Sequence, residues 1–97
     1  MVFCSSCSNN RNDPESVKKS WEAKGWTYVE TFGPSVPDAV YVFYFDGGTA
    51  IKATAGITVN GVKKEKDYVQ DDATYLIVGF QSPKTGDGFD MIFKKKK

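Results

Sequence analysis

The sequence predicts an α+β fold in which one short N-terminal helix precedes an antiparallel meander of about six strands. A helix start signal and a helix stop signal enclose a single segment near the N-terminus. Every later apolar segment is short and bounded by turn residues, as strands are. Fourteen per cent of the residues are aromatic, which suits the pleated surface of a sheet. Because the connections are short, we expect successive strands to pair as neighbours.

The chain opens with a small, polar segment, residues 1–12, that reads as a flexible leader. It contains the only two cysteines, Cys4 and Cys7, whereas structural zinc requires four ligands and the chain has no histidine. We therefore predict no metal and no cofactor. Free thiols are the simplest interpretation, and a local disulfide, S-acylation or a metal shared between two chains are the alternatives.

The segment after the leader has the signals of a helix. Asp13 is a favourable N-cap, and Pro14 suits the first helical position. Gly25 is the expected stop, because glycine readily adopts the left-handed conformation that ends many helices. Trp26 would then pack back on Trp21, so we predict that these two indoles anchor the helix to the sheet.

The rest of the chain is predicted to form strands separated by turns. Asp46-Gly47 and Asn60-Gly61 are tight-hairpin signals. Residues 33–38 contain two prolines, which lack the N–H group that a sheet ladder requires, so we predict a loop there. The predicted strands cover residues 26–32, 39–45, 49–59, 62–70, 74–80 and 89–93.

Residues 13–93 are expected to form a single domain, followed by a lysine tail, Lys94 to Lys97. The tail holds four of the thirteen cations, so the remainder has nine cations against twelve anions. A nucleic-acid-binding protein usually spreads its cations over a folded face, so nucleic acid is disfavoured as a partner. At most, the tail or acylated Cys4 and Cys7 would make a weak membrane contact. The chain has neither a membrane-spanning apolar run nor a signal-peptide pattern, which favours an intracellular, cytoplasmic protein.

The residues needed for common catalytic chemistry are missing or not arranged for it. The chain has no histidine, no nucleophile-elbow serine and no phosphate-binding glycine motif. Two carboxylate pairs, Asp71 with Asp72 and Asp87 with Asp90, lie in or beside predicted turns, where aspartate bonds its own backbone. We therefore expect a protein that is not an enzyme, and a carboxylate-based enzyme is the weaker alternative.

Several predicted strands are apolar on both faces, although one helix of about 16 Å covers only one side of a few strands. Either the sheet curls into a partial barrel, or the second face is an interface with a protein partner or a second copy. The candidate contacts on that face are Val42, Tyr44, Tyr75 and Ile77.

The strand predicted at residues 62–70 differs, because consecutive charges fall on both of its faces. This pattern is typical of a solvated edge, and the alternative is a charged β-arm that contacts a partner. The candidate contacts on the arm are Lys63, Lys64 and Lys66.

Together these features favour a small, non-enzymatic protein-interaction module, an accessory or regulatory subunit that binds through the apolar face and the charged hairpin. The alternative is a carrier for a small apolar ligand, with its pocket between the helix and the sheet beside Trp21 and Trp26.

Overall fold

The computed structural model describes residues 12–96 and contains one helix and six antiparallel strands, which confirms the predicted fold class. Cys4, Cys7 and Lys97 lie outside the described residues. The elements are α1 Pro14–Ala23, β1 Thr27–Phe32, β2 Val40–Asp46, β3 Lys52–Val59, β4 Val62–Val69, β5 Ala73–Gln81 and β6 Gly88–Lys96.

The strands form two separate sheets, a four-stranded sheet in the order β1-β6-β5-β2 and a two-stranded hairpin of β3 and β4. Only β3–β4 and β5–β6 are neighbours in both sequence and space, so the expected succession of neighbouring pairs does not hold elsewhere. The last hairpin, β5–β6, lies in the centre of the larger sheet. Strands that are apolar on both faces need cover on both sides, and the centre provides it.

The helix covers one face of the four-stranded sheet. Asp13 caps α1 by accepting a hydrogen bond from the Ser16 N–H (3.1 Å), and Gly25 follows the helix with φ at +98°. Trp26 is buried, and its N–H donates to the Trp21 carbonyl (3.2 Å). The space between α1 and the sheet is occupied by a cluster of buried side chains: Val17, Trp26, Ala39, Leu76, Val78, Phe80, Phe89 and Phe93.

The β3–β4 hairpin covers the opposite face. Ala53 and Ala55 of β3 are fully buried and belong to one cluster with Ile77 and Ile92 at the centre of the sheet. Small alanine side chains allow the hairpin backbone to approach the sheet closely. The molecule therefore has three layers, helix, sheet and hairpin, and the hairpin supplies cover that the sequence did not reveal.

Gly33 lies where the chain leaves β1 and passes beneath the hairpin. Its φ of +124° is a conformation that other residues rarely adopt. A Cβ at this position would lie 2.8 Å from Ile57 Cδ1 and 2.9 Å from Phe89 Cβ. Only glycine therefore fits at this position.

The lysines at the C-terminus belong to the sheet, because β6 continues to Lys96. Lys94 pairs with Thr27 on one side and with Tyr75 on the other. The Lys95 ammonium lies 4.6 Å from the centre of the Trp26 ring, a cation–π distance. The expectation of a separate tail is therefore corrected for residues 94–96. The described part of the chain contains no helix of the length and apolarity that a bilayer crossing requires.

Candidate binding edge and cleft

The outer strand β2 presents apolar side chains to solvent. Residues 39–45 contain no charged residue. Neither the helix nor the hairpin fully covers this strand, and we call it the β2 edge. Its exposed side chains, each between 40% and 52% exposed, are Val40, Val42, Phe43, Tyr44 and Phe45.

The two faces of β2 have different surroundings. On the helix side, the Tyr44 ring lies 4.9 Å from the Trp21 ring. On the hairpin side, Phe43 lies over Gly79 of β5, whose missing side chain leaves the space for the phenyl ring. The pairing register shifts between Tyr41 and Phe43, so Val42 is an extra residue in a β-bulge. Both faces therefore offer apolar surface to a neighbouring chain.

Backbone polar groups of β2 also point outward. The Gly47 N–H donates to the Tyr75 carbonyl (2.9 Å), which fixes the alternation of the ladder with β5. By that alternation, the N–H and C=O groups of Tyr44 and Asp46 face away from β5. The other end of this edge is occupied, because the Tyr41 N–H donates to the Asn12 carbonyl (2.9 Å).

The structure separates the four side chains that were predicted to share one apolar face. Val42 and Tyr44 are exposed at the β2 edge. Ile77 is only 1% exposed, because the β3–β4 hairpin packs over it. Tyr75 is half-buried, with its ring 5.4 Å from that of Tyr68 in the hairpin. The assignment of Ile77 and Tyr75 to an uncovered face is thus corrected.

The charged arm lies at the far side of the sheet. The Lys66 ammonium donates to Glu30 Oε2 in β1 (2.8 Å), and β1 is the edge opposite β2. The Tyr68 hydroxyl donates to the same oxygen (2.6 Å). These two bonds lower the pKa of Glu30. Lys63 lies 3.8 Å from Glu65, and Lys64 is exposed on the same strand. The lysines and the apolar edge therefore do not form one continuous surface.

A cleft lies between β2 and the hairpin, with a volume of about 110 Å³. Val42 and Phe43 line it from β2, Gly56 and Ile57 line it from β3, and Asp90 of β6 lines it from the sheet. The carboxylate is therefore placed among predominantly apolar neighbours.

Asp90 is only 2% exposed. Its Oδ2 accepts a hydrogen bond from the Gly56 N–H (3.0 Å), which ties the hairpin to the sheet. Burial raises the pKa of Asp90 to about 6, and the hydrogen bond from Gly56 opposes part of that rise. From the sequence, Asp90 was expected beside a turn, and its role in holding the hairpin was not predicted. The available signal was a single charge inside the otherwise apolar segment 89–93.

The two predicted carboxylate pairs lie at opposite ends of β5. Asp71 and Asp72 are exposed and precede the strand, whereas Asp87 and Asp90 lie by its far end. Asp87 Oδ1 accepts a hydrogen bond from the Asn60 N–H (3.0 Å) at the hairpin turn. The fold therefore does not bring the four carboxylates into one site.

Comparison of the chain with known protein families, with curated proteins and with solved structures finds no match.

Proposed function

We propose that this chain is a non-enzymatic protein-interaction module that binds an extended segment of a partner protein along the β2 edge. The proposal depends on one observation: five exposed apolar side chains on an outer strand that has no charge between residues 39 and 45. Natural edge strands usually have lysine, proline or inward-pointing charges that prevent pairing with another chain. Their absence from this segment favours a partner that adds a strand.

The backbone of β2 supports the same mode of binding. Because the polar groups of Tyr44 and Asp46 face outward, a partner segment can form ladder hydrogen bonds with them. Asn12 occupies the edge beside Tyr41, so the pairing would extend over Val42–Asp46. Five residues of strand span about 17 Å, enough for a short linear segment of a partner.

The side chains of β2 define the chemistry of that segment. Successive partner residues would contact Tyr44 and Trp21 on the helix side, and Phe43 and Phe45 on the hairpin side. The partner segment is therefore expected to be extended, uncharged and apolar on both faces. Lys63, Lys64 and Lys66 remain a separate predicted contact, because they lie on β4 of the hairpin and not on β2.

The experiment is a selection of random peptides displayed on phage against the immobilised protein, with Phe45→Lys as the counter-selection. Phe45→Lys places a charge on the edge and does not alter the cleft. Val69→Lys is the matched control, because Val69 is also exposed (59%) but lies on the hairpin. We expect enriched peptides to be apolar, and to bind the wild type and Val69→Lys equally but Phe45→Lys at least tenfold more weakly. Binding should also slow hydrogen exchange at the amides of Tyr44 and Asp46.

Two results would contradict the proposal. One is a failure to enrich any peptide that distinguishes the wild type from Phe45→Lys. The other is a dimer, detected by sedimentation, that Phe45→Lys dissociates, because the occupant of the β2 edge would then be a second copy. A strictly monomeric wild type that binds the selected peptides supports the proposal as stated.

A further inference from the structure

A buried carboxylate, Asp90, lines the cleft, and no cation among residues 12–96 forms an ion pair with it. The ion pairs found within residues 12–96 join Lys52 to Asp67, Lys63 to Glu65 and Lys66 to Glu30, and none includes Asp90. Asp90 Oδ2 accepts from the Gly56 N–H, and among the described residues no second donor reaches this carboxylate. Every fully buried side-chain nitrogen or oxygen in the described structure has a partner, so Oδ1, which has none, is not fully buried, and Asp90 lines the cleft.

An unpaired anion in an apolar cleft is unfavourable unless a ligand supplies the missing charge and hydrogen bonds. From this cleft and its open carboxylate oxygen we infer a binding site for a primary ammonium group on a short apolar stem, with Asp90 as the counter-ion. The cleft shares Val42 and Phe43 with the β2 edge, but its counter-ion Asp90 lies on β6 and takes no part in strand addition.

The size of the cleft limits the ligand. An apolar cavity of about 150 Å³ accepts benzene. The volume here, about 110 Å³, therefore suits an ammonium group with a stem of three or four carbons. Val42, Phe43 and Ile57 would contact the stem, and the ammonium would donate to Asp90 Oδ1.

A site with a single carboxylate favours an ammonium group over a metal ion as its ligand. Calcium requires six to eight oxygen ligands, and magnesium requires a near-octahedral set. No group of three or more metal-ligating side chains exists in the described part of the chain. One carboxylate in an apolar cleft matches a monovalent organic cation, whose stem benefits from the apolar contacts.

Such a group has two sources, a free alkylamine or a lysine side chain of another protein. The test is a titration of the ¹⁵N-labelled protein by NMR with three probes: n-butylammonium, 1-butanol and an extended peptide with a single lysine. Butanol is the neutral control, because it has the same number of non-hydrogen atoms as butylammonium. A ligand of about five non-hydrogen atoms is expected to bind with a dissociation constant of roughly 1 mM.

We expect butylammonium to cause saturable shifts at the amides of Phe43, Gly56 and Ile57. Butanol should bind at least tenfold more weakly, and Asp90→Asn should lose at least tenfold in affinity for butylammonium. If the lysine peptide binds more than tenfold tighter than butylammonium, the source is a protein side chain. Otherwise the source is a small amine.

A second measurement uses only the wild-type protein. Bound butylammonium should lower the midpoint at which the ¹³Cγ signal of Asp90 titrates in the wild type. Of the ionisable side chains packed nearby, the Tyr68 hydroxyl of β4 is coupled electrostatically to Asp90, and burial raises the pKa of Tyr68 so that it stays neutral during this titration. Equal binding of butanol and butylammonium, undiminished binding to Asp90→Asn, or an unmoved midpoint would each overturn the inference. Phe45→Lys should retain butylammonium binding, so the edge and the cleft are tested separately.

Discussion

Replacing Asp90 by asparagine is expected to stabilise the folded protein at neutral pH. The amide oxygen of asparagine can still accept the hydrogen bond from Gly56, so the link between hairpin and sheet is kept. The substitution removes a buried negative charge that forms no ion pair with any of the described residues. The rise in pKa of Asp90 from the ordinary 3.8 to about 6 corresponds to about 3 kcal/mol, at about 1.4 kcal/mol for each tenfold change in proton affinity.

The sign of the pH dependence follows from the same two values. Between pH 3.8 and about 6, the folded protein retains a proton that the unfolded chain has already lost. The free energy of unfolding of the wild type therefore falls as the pH rises through this window, and the loss is complete above about pH 6. Below pH 3.8 the carboxyl group is protonated in both states, and the advantage of Asp90→Asn disappears.

Urea unfolding followed by tryptophan fluorescence measures the free energy of unfolding of both proteins, because Trp26 is buried in the folded state. Asp90→Asn should exceed the wild type by about 3 kcal/mol at pH 7 and by less than about 1 kcal/mol at pH 3.5. Asp71→Asn is the matched control. It removes an exposed carboxylate and should change stability by less than about 0.5 kcal/mol. If Asp90→Asn is less stable than the wild type at pH 7, the argument from burial is wrong.

Three further substitutions test how the layers are held together, each by the same unfolding assay. Gly33→Ala should cost about 3 kcal/mol, because the new Cβ collides with core atoms, while Gly61→Ala, also at positive φ but in open space, should cost only about 1 kcal/mol. Tyr68→Phe should cost about 1 kcal/mol, because it removes the hydrogen bond to Glu30. An unchanged free energy of unfolding would contradict this assignment. Asp13→Ala should cost about 1 kcal/mol by removing the helix cap, and Asp13→Asn should restore most of it.

The elements were predictable from local signals, but their arrangement was not. The cap at Asp13, the stop at Gly25 and the turn at Asn60-Gly61 depend on residues next to each other in the chain, so the sequence contains them directly. The order of strands depends on which surfaces bury best together. The β5–β6 hairpin enters between β1 and β2 because its strands need cover on both faces, and this competition is not visible in any one segment.

The same reasoning explains which site residues were predicted correctly as exposed. Val42 and Tyr44 lie on an outer strand, and they are exposed as expected. Ile77 has the same local pattern of apolar residues but lies on a central strand beneath the hairpin. The burial of Asp90 was not predicted for a related reason. Its charge is buried only because Gly56, distant in sequence, packs over it.

Layer widths explain why β2 in particular is left open. Four strands about 4.8 Å apart span about 19 Å between the outer edges, whereas a helix and a two-stranded hairpin are each about 10 Å wide. Neither covering layer can reach both edges. At the β1 edge the hairpin extends outward, and the uncovered surface is occupied by the paired charges of Glu30 and Lys66. Within the described residues the β2 edge has no such charges between Val40 and Phe45, because its exposed Asp46 lies only at the end of the strand. Phe43 and Phe45 are each nearly half exposed. The β1 edge is therefore protected by charge, whereas the β2 edge is apolar. Because stability alone would favour charge at both, the difference supports a binding role for β2.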